Sequence, residues 1–420
     1  MRFLPIFLFT TVLLLLLDIY LYKGIRLLLQ PVASEWIKRS VKWSFWAATL
    51  GYIAYAIWVL ANAKSLEQAK NSQHFFALFG WFIALFVPGL IWGFFHLLDD
   101  ISFGLQWLWK RYATQENAVS GGIPLTRAAF LTRMGLIIAA VPFLGILYGI
   151  TKGKYDFRII RERIRSKKLP AALDGLTIVQ ISDAHLGSFS KDPAPIHRAI
   201  EMINKLNPDV LVFTGDLVNN YADEAEFWIE EFKQLKARYG KFSILGNHDY
   251  GDYVRFPSPE AKVANLDRLK AIHREMGFTL LLNRSEQVEI ASGTYLQLAG
   301  VENWGLPPFP QHGDLAQAVK GIDQKVFSVL LSHDPSHWDA EVLPNTDIDL
   351  TLSGHTHGMQ FGIEIAGFKW SPVKYKYPRW GGLYKQDDRF LYVNRGFGFL
   401  GFPGRVGMPP EITLLELRSA

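Results

Sequence analysis

The sequence predicts two unlike parts: a membrane unit of four apolar helices, followed by an α/β domain. Three observations carry that expectation. Long apolar runs crowd the first 150 of the 420 residues. Beyond residue 169, short β-branched runs alternate with polar, helix-like stretches. Nearly every one of those short runs ends in a cluster of Gly, Asn, Asp or His. The length accommodates one large domain with an addition, or two domains.

Four runs, at 3–22, 43–62, 75–98 and 134–150, are each long enough to cross about 30 Å of hydrocarbon as a helix. The first reads as a retained span and not a cleaved leader. Its apolar run is long, only Arg2 precedes it, and Asp-Ile-Tyr-Leu-Tyr stands where a small-residue cleavage site belongs. Asp18, near the end of that run, reads as interfacial, because the ends of spans tolerate charge better than their centres. Trp43, Trp46, Trp58, Trp81 and Trp92 read as aromatic belts. Residues 101–111, with Trp107, Trp109, Lys110 and Arg111, suit either an interfacial amphipathic helix or a loop. Turn signals at 120–124 lead into the last span. The predicted boundaries are a membrane domain over 1–150, a basic juxtamembrane connector over 151–169 that opens the next domain with an extended segment, and a catalytic domain over 170–420.

Charge divides the same way. Residues 1–169 carry a net +12 and residues 170–420 a net −7. The cations therefore flank the membrane spans and do not form a basic working surface, which argues against a nucleic-acid partner. The absence of cysteine excludes disulfides, zinc–thiolate sites and a thiol nucleophile.

In the second part, runs at 177–181, 210–213, 242–245, 326–331 and 350–352 read as strands, and 194–206 and 224–237 as helices. In open α/β sheets, ligands gather at the carboxyl ends of strands. Asp183 and His185 follow the first run and, two apart on an extended segment, project to one side. Thr214-Gly-Asp216, Gly246-Asn-His-Asp249, Ser332-His333 and Gly354-His-Thr-His357 follow the others. Asp, Asn and neutral His suit Mn²⁺, Fe or Zn²⁺. Seven such donors (Asp183, His185, Asp216, Asn247, His333, His355 and His357) exceed what one ion needs and suit two. A carboxylate between the ions would hold them at the spacing of about 3.5–4 Å typical of two-metal hydrolases.

This ordered string, D-x-H, G-D, G-N-H-D, H, G-H-x-H, resembles that of the calcineurin-like metallophosphoesterases over essentially residues 170–420. The variant is similar to a membrane-associated branch that includes bacterial phosphohydrolases and UDP-diacylglucosamine pyrophosphatases. Asn394-Arg-Gly-Phe-Gly398 and Arg405 with Pro410-Glu-Ile412 resemble that branch's C-terminal pattern. The resemblance implies a β-sandwich flanked by α-helices, with metals at strand ends. It implies that Asp183, His185 and His357 hold one ion, that Asn247, His333 and His355 hold the other, and that Asp216 bridges them. It further implies that His248 protonates the leaving oxygen or stabilises the transferring phosphoryl group, and that Asp249 orients His248. Two divalent cations, Mn²⁺ with Fe or Zn²⁺ as alternatives, would lower the pKa of a shared water and spread the charge of the transition state.

Two departures from the family pattern bear on substrate choice. Met359 stands where G-H-x-H-G-G-Q has its second glycine, and Val301-Glu-Asn303 stands where relatives often carry an acidic pair. Arg395 and Arg405 are candidates for gripping a substrate phosphate, because a guanidinium fork matches phosphate oxygens. Trp304 and the Pro-rich 306–310 segment read as a lid or a plain loop. No role is assigned to His74, His96, His197, His273, His312 or His337.

The expected protein is a membrane-anchored phosphohydrolase cleaving phosphoester or pyrophosphate bonds in a small-molecule or lipid-linked substrate, in the cell (inner) membrane. A non-catalytic scaffold on the same fold is the alternative, and lost ligands would mark it. Four spans put the N-terminus and the catalytic domain on one side. Flanking cations do not choose the face, with eleven on one side and nine on the other.

Overall fold

The computed structural model describes residues 4–68, 72–112, 127–323, 325–365 and 367–420. The chain divides into two compact units, Met1–Ile150 and Thr151–Ala420. Among the described residues of the first, four helices are long and apolar enough to cross a membrane: α1 (Leu4–Leu29), α2 (Glu35–Ala61), α4 (Gln73–Tyr112) and α5 (Arg127–Thr151), with a short α3 (Ala63–Gln68) between the second and third. Ser34 caps α2, accepting from the Ile37 amide, and Glu35 lies in the first turn where the helix dipole favours an anion.

Three expectations change here. α1 runs past residue 22 to Leu29, so Asp18 lies mid-helix; it is buried and accepts a hydrogen bond from Thr49 Oγ1. A carboxyl at that depth is tolerated because a neighbouring helix supplies a donor. Trp92 is buried in the middle of α4 and donates to the Thr132 carbonyl at 3.0 Å, so it belongs to the bundle and not to a belt. Residues 101–111 continue α4 without a break, because neither Gly nor Pro interrupts the chain between Leu98 and Ile101. The turn expected at 120–124 lies outside the described residues.

The second unit is a sandwich of two six-stranded sheets. Its strands are β1 (Arg158–Ser166), β2 (Thr177–Ile181), β3 (Val210–Thr214), β4 (Gly240–Ile244), β5 (Thr279–Leu280), β6 (Arg284–Ala291), β7 (Thr294–Gly300), β8 (Ser328–Leu331), β9 (Leu350–Ser353), β10 (Ile363–Ile365), β11 (Phe368–Trp370), β12 (Gly382–Gln386), β13 (Arg389–Val393) and β14 (Glu411–Ser419). One sheet has the order β1-β14-β2-β3-β4-β5 and the other β12-β13-β9-β8-β7-β6, while β10 and β11 form a two-stranded ribbon. β2 through β5 run parallel, as do β7, β8, β9 and β13. The cationic segment after the spans becomes β1, nine residues long and parallel to β14.

Alternate residues of the parallel strands enter different cores. Ile178, Val210, Val212, Val329, Leu331, Leu350 and Leu352 pack between the sheets. Val179, Leu211 and Phe213 face outward to the helix α6 (Ala194–Lys205), whose Ile196, Ile200 and Ile203 cover them. On the far side Leu330, Leu391 and Val393 meet Trp338 and Val342. Burial on both faces explains why these strands read as continuous apolar runs and not as alternating ones. The helix expected over 224–237 is broken into Asp223–Glu226 and Ile229–Lys233.

Candidate metal centre

β2, β3 and β4 of one sheet and β8 and β9 of the other end at one place, and each is followed by one of the polar clusters. Backbone hydrogen bonds tie the loops together: Asp183 N to Gly215 O (2.9 Å), His185 N to Asp216 O (3.2 Å) and Gly354 N to His333 O (2.9 Å). The expected extended geometry of Asp183 and His185 does not hold. Both have left-handed backbone, φ 52° and 44°, as do Asp216, His355 and His357 at 60°, 71° and 52°. Non-glycine residues seldom adopt this region, and strained backbone of this kind concentrates at functional sites. The left-handed turns, and not strand alternation, bring the side chains together.

Two groups of donors result. The donor atoms of Asp183, His185 and His357 lie within 4.8 Å of one another, and so do those of Asp216, His333 and His355. Asn247 joins the second group, its Oδ1 2.8 Å from His355 Nδ1 while its amide donates to the Tyr253 hydroxyl at 2.7 Å. Asp216 stands between the groups. Its Oδ2 is 3.1 Å from His333 Nε2 and 3.6 Å from His185 Nε2, and its Oδ1 accepts from the His248 amide at 2.9 Å. The approach leaves no room for side chains: a Cβ on Gly246 would come 2.3 Å from Asp216 Oδ1, and one on Gly354 2.3 Å from Asp183 Oδ2.

The protonation pattern suits cations. His333 Nδ1 donates to the Thr214 carbonyl at 2.7 Å, which turns the buried Nε2 onto Asp216 Oδ2 at 3.1 Å. His185 likewise directs Nδ1 to Asn219 Oδ1 (3.1 Å) and Nε2 to His357 Nε2 (3.1 Å). Burial opposes ionisation of Asp183, but His357 and His333 hold its carboxyl below the usual range. Burial likewise opposes ionisation of Asp216, and His333 and His248 hold it well below the usual range. Burial opposes protonation of His333, and the facing Asp216 carboxylate outweighs it and pushes the imidazole up to about 10; a divalent ion held by Asp216 would displace that proton and leave Nε2 a ligand. Buried carboxylates and inward-facing imidazole nitrogens in this proportion fit divalent ions.

His248 lies beside His185, ring centroids 5.0 Å apart, and is half-buried. Its Nδ1 donates to the Asn219 carbonyl at 2.8 Å, leaving Nε2 free. Asp249 was expected to orient this ring and does not reach it. Its carboxylate turns inward to accept from the amides of Gly246, Asp216 and Leu217, each at 2.9 Å, and Val218 at 3.3 Å. Three peptide donors in a row at the end of β3 outcompete a single imidazole. Asp249 thus holds the loop that carries Asp216, and Asn219 orients His248.

The two arginines also differ from expectation. Arg395 is buried with its guanidinium on Glu411 and Glu364. Arg405, also buried, donates to the carbonyls of Gly398 (2.7 Å), Arg395 (2.9 Å) and Met408 (3.2 Å), and its Nη2 lies 3.3 Å from His357 Nδ1. Both forks are occupied by protein groups. Trp304 is buried and stacks on His337 at 4.7 Å, so it forms no lid, whereas Phe309 meets the His355 ring edge-on at 4.8 Å.

Sequence reasoning missed Asn219, Tyr377 and Asp334. The last two flank His355 Nε2, with Tyr377 Oη at 2.8 Å and Asp334 Oδ2 at 3.5 Å, and so direct its Nδ1 toward Asn247. Asp334 directly follows a predicted ligand and was findable on that ground; nothing in the sequence around Tyr377 marks it.

Residues 176–359 match the family of the calcineurin-like phosphoesterases, and residues 1–154 match a family described as "Probable Calcineurin-like phosphoesterase, transmembrane domain". The metallophosphoesterase YkuE of Bacillus subtilis is 32% identical over 302 residues, covering 70% of this chain and 98% of that one. The chain belongs to the calcineurin-like metallophosphoesterases. A zebrafish transmembrane protein with a metallophosphoesterase domain is 30% identical over 318 residues, 74% of this chain and 67% of the relative. The UDP-2,3-diacylglucosamine pyrophosphatase LpxG of Chlamydia muridarum is 29% identical over 316 residues, 66% of this chain and 94% of the relative. The protein is thus a membrane metallophosphoesterase, a dinuclear phosphohydrolase that uses divalent metals.

Proposed function

We propose that this phosphoesterase hydrolyses a phosphoester or pyrophosphate bond in a lipid-linked substrate. In this reading Asp183, His185 and His357 would hold one ion, Asn247, His333 and His355 the other, and Asp216 would serve both. The carrying observation is Asp216 Oδ2, which lies between His185 Nε2 and His333 Nε2. When bound, two divalent cations, Mn²⁺ in the first instance, supply Lewis acidity toward the phosphoryl oxygens and lower the pKa of the attacking water.

The chain's own residues do the positioning. His248, held by the Asn219 carbonyl, aims Nε2 at the bond to be cleaved and, once protonated, delivers a proton to the leaving oxygen. Asp249 keeps Asp216 and Gly246 in register through four peptide amides. Arg405 is a positioning residue behind His357, and the Arg395 carbonyl holds Arg405. Tyr377 and Asp334 orient His355. The lipid-linked substrate is supported by the four apolar helices and by a pyrophosphatase relative whose name specifies a diacylated sugar nucleotide.

The test is hydrolysis of phosphomonoesters, phosphodiesters and UDP-2,3-diacylglucosamine by protein stripped with chelator and reloaded with Mn²⁺, Fe²⁺ or Zn²⁺. Metal-dependent cleavage with preference for the acylated pyrophosphate is expected. Full activity in metal-free protein would refute the centre, and indifference to the acyl chains would refute the substrate class.

A further inference from the structure

The segment between His357 and Tyr377 leaves the metal centre and returns to it. His357 faces Asp183 and His185, and Tyr377 meets His355. Between them β10 and β11 pair Ile363 with Trp370, Glu364 with Lys369 and Ile365 with Phe368. Directly paired residues share a face and neighbours along a strand alternate, so this hairpin has two distinct sides. One side is polar and turned toward the domain, with Glu364 on the buried Arg395 guanidinium and Lys369 Nζ on the Gly381 carbonyl at 2.9 Å. The other is apolar and, apart from the half-buried Trp370 opposite Ile363, turned outward. Ile363, Ile365 and Phe368 are 47%, 68% and 62% exposed, with Met359 (55%) and Tyr375 (78%) beside them in the chain.

This is the reverse of a hairpin built for water, which hides its apolar side. A two-stranded ribbon is marginally stable by itself, and within the sandwich unit Ile363, Ile365 and Phe368 stay exposed. The surrounding charge identifies the medium. Residues 359–377 carry three lysines and one glutamate, and Lys374 and Lys376 are exposed. Apolar side chains flanked by lysines suit a bilayer with anionic headgroups, where a weak interfacial anchor works together with a second attachment. The apolar helices of the same chain supply that second attachment.

We infer that the β10–β11 hairpin dips its Ile363, Ile365 and Phe368 face into the acyl boundary of an anionic bilayer, placing the loop of His355 and His357 at the level from which a lipid-linked phosphate is delivered. The inference deepens the lipid-substrate reading and rests on it for its purpose, but its test involves no turnover, so either can fail alone.

The chain has no cysteine, and Ile365→Cys therefore provides a single labelling site. The full-length variant, carrying an environment-sensitive fluorophore, is reconstituted in vesicles of phosphatidylcholine and phosphatidylglycerol. Phe368→Cys serves as a second site, and Lys205→Cys, at the opposite ends of the strands, as a reference. Insertion of roughly 5–10 Å predicts that shallow doxyl-labelled lipids remove about half the emission at residues 365 and 368 while iodide removes little. At residue 205 the pattern reverses. Iodide quenching at 365 and 368 equal to that at 205 would overturn the inference. So would protection from both quenchers, which would mean that protein, a second copy or another part of this chain, covers the face.

Discussion

A buried imidazole nitrogen and a buried carboxylate oxygen that face each other need a proton or a cation between them, and His333 Nε2 and Asp216 Oδ2 do so at 3.1 Å. This residue-scale imbalance gives the assignments their consequences. Asp216→Asn removes the charge from the one oxygen that serves both donor groups. It should lower metal content below that of any variant confined to one group and cost more activity than either, as checked by elemental analysis alongside hydrolysis. His248→Ala should behave in the opposite way. The ring is held by the Asn219 carbonyl and belongs to neither donor group, so metal content should stay at the wild-type level while the rate falls roughly 10²–10⁴-fold. Loss of about half the metal in that variant would make His248 a ligand.

At the scale of elements, the helix Asp223–Glu226 ties the site to the fold. Glu224 accepts from the Asn219 amide at 2.6 Å and the Tyr221 amide at 3.3 Å, and Asn219 in turn holds His185 and His248. Burial pushes the Glu224 carboxyl up to about 7, against the pull of those amides. A carboxyl raised in the folded state contributes stability that is fully present below its unfolded value near 4.5 and is lost as pH rises through about 7. Glu224→Gln has no such titration. Between pH 5 and pH 8 the stability of wild type relative to the variant should therefore fall, by on the order of 1–3 kcal/mol. Hydrogen exchange of residues 217–226 in both proteins, corrected for intrinsic rates, measures it. A constant difference across that window would show that Glu224 does not titrate there.

For the whole molecule, four apolar helices form one unit and the sandwich the other. An even number of crossings returns the chain to its starting side, so tags at the two ends should be cut together or protected together by protease in sealed vesicles. One cut and one protected would mean that a helix does not cross. The count rests on runs of about 20 apolar residues, which hydropathy reports well because lipid leaves the backbone no alternative to a helix.

Sequence alone was enough for the apolar spans and for the five strands that carry the donors, since β2 is read to the residue as Thr177–Ile181 and the donors follow strands in both sheets. Those properties depend on side-chain pattern and local chemistry, which a linear reading contains. Apart from the extended segment that becomes β1, the remaining strands and the helix at 259–275 were not read. Tertiary structure decided what partners choose. Asp249 leaves His248 for four amides, Asp18 sits mid-helix with Thr49 and not at an interface, and both arginines are occupied by buried groups. The left-handed turns at Asp183 and His185, and the meeting of Tyr377 with His355, likewise belong to the folded chain. Each is a competition among donors and acceptors far apart in sequence, and only folding brings the competitors within reach.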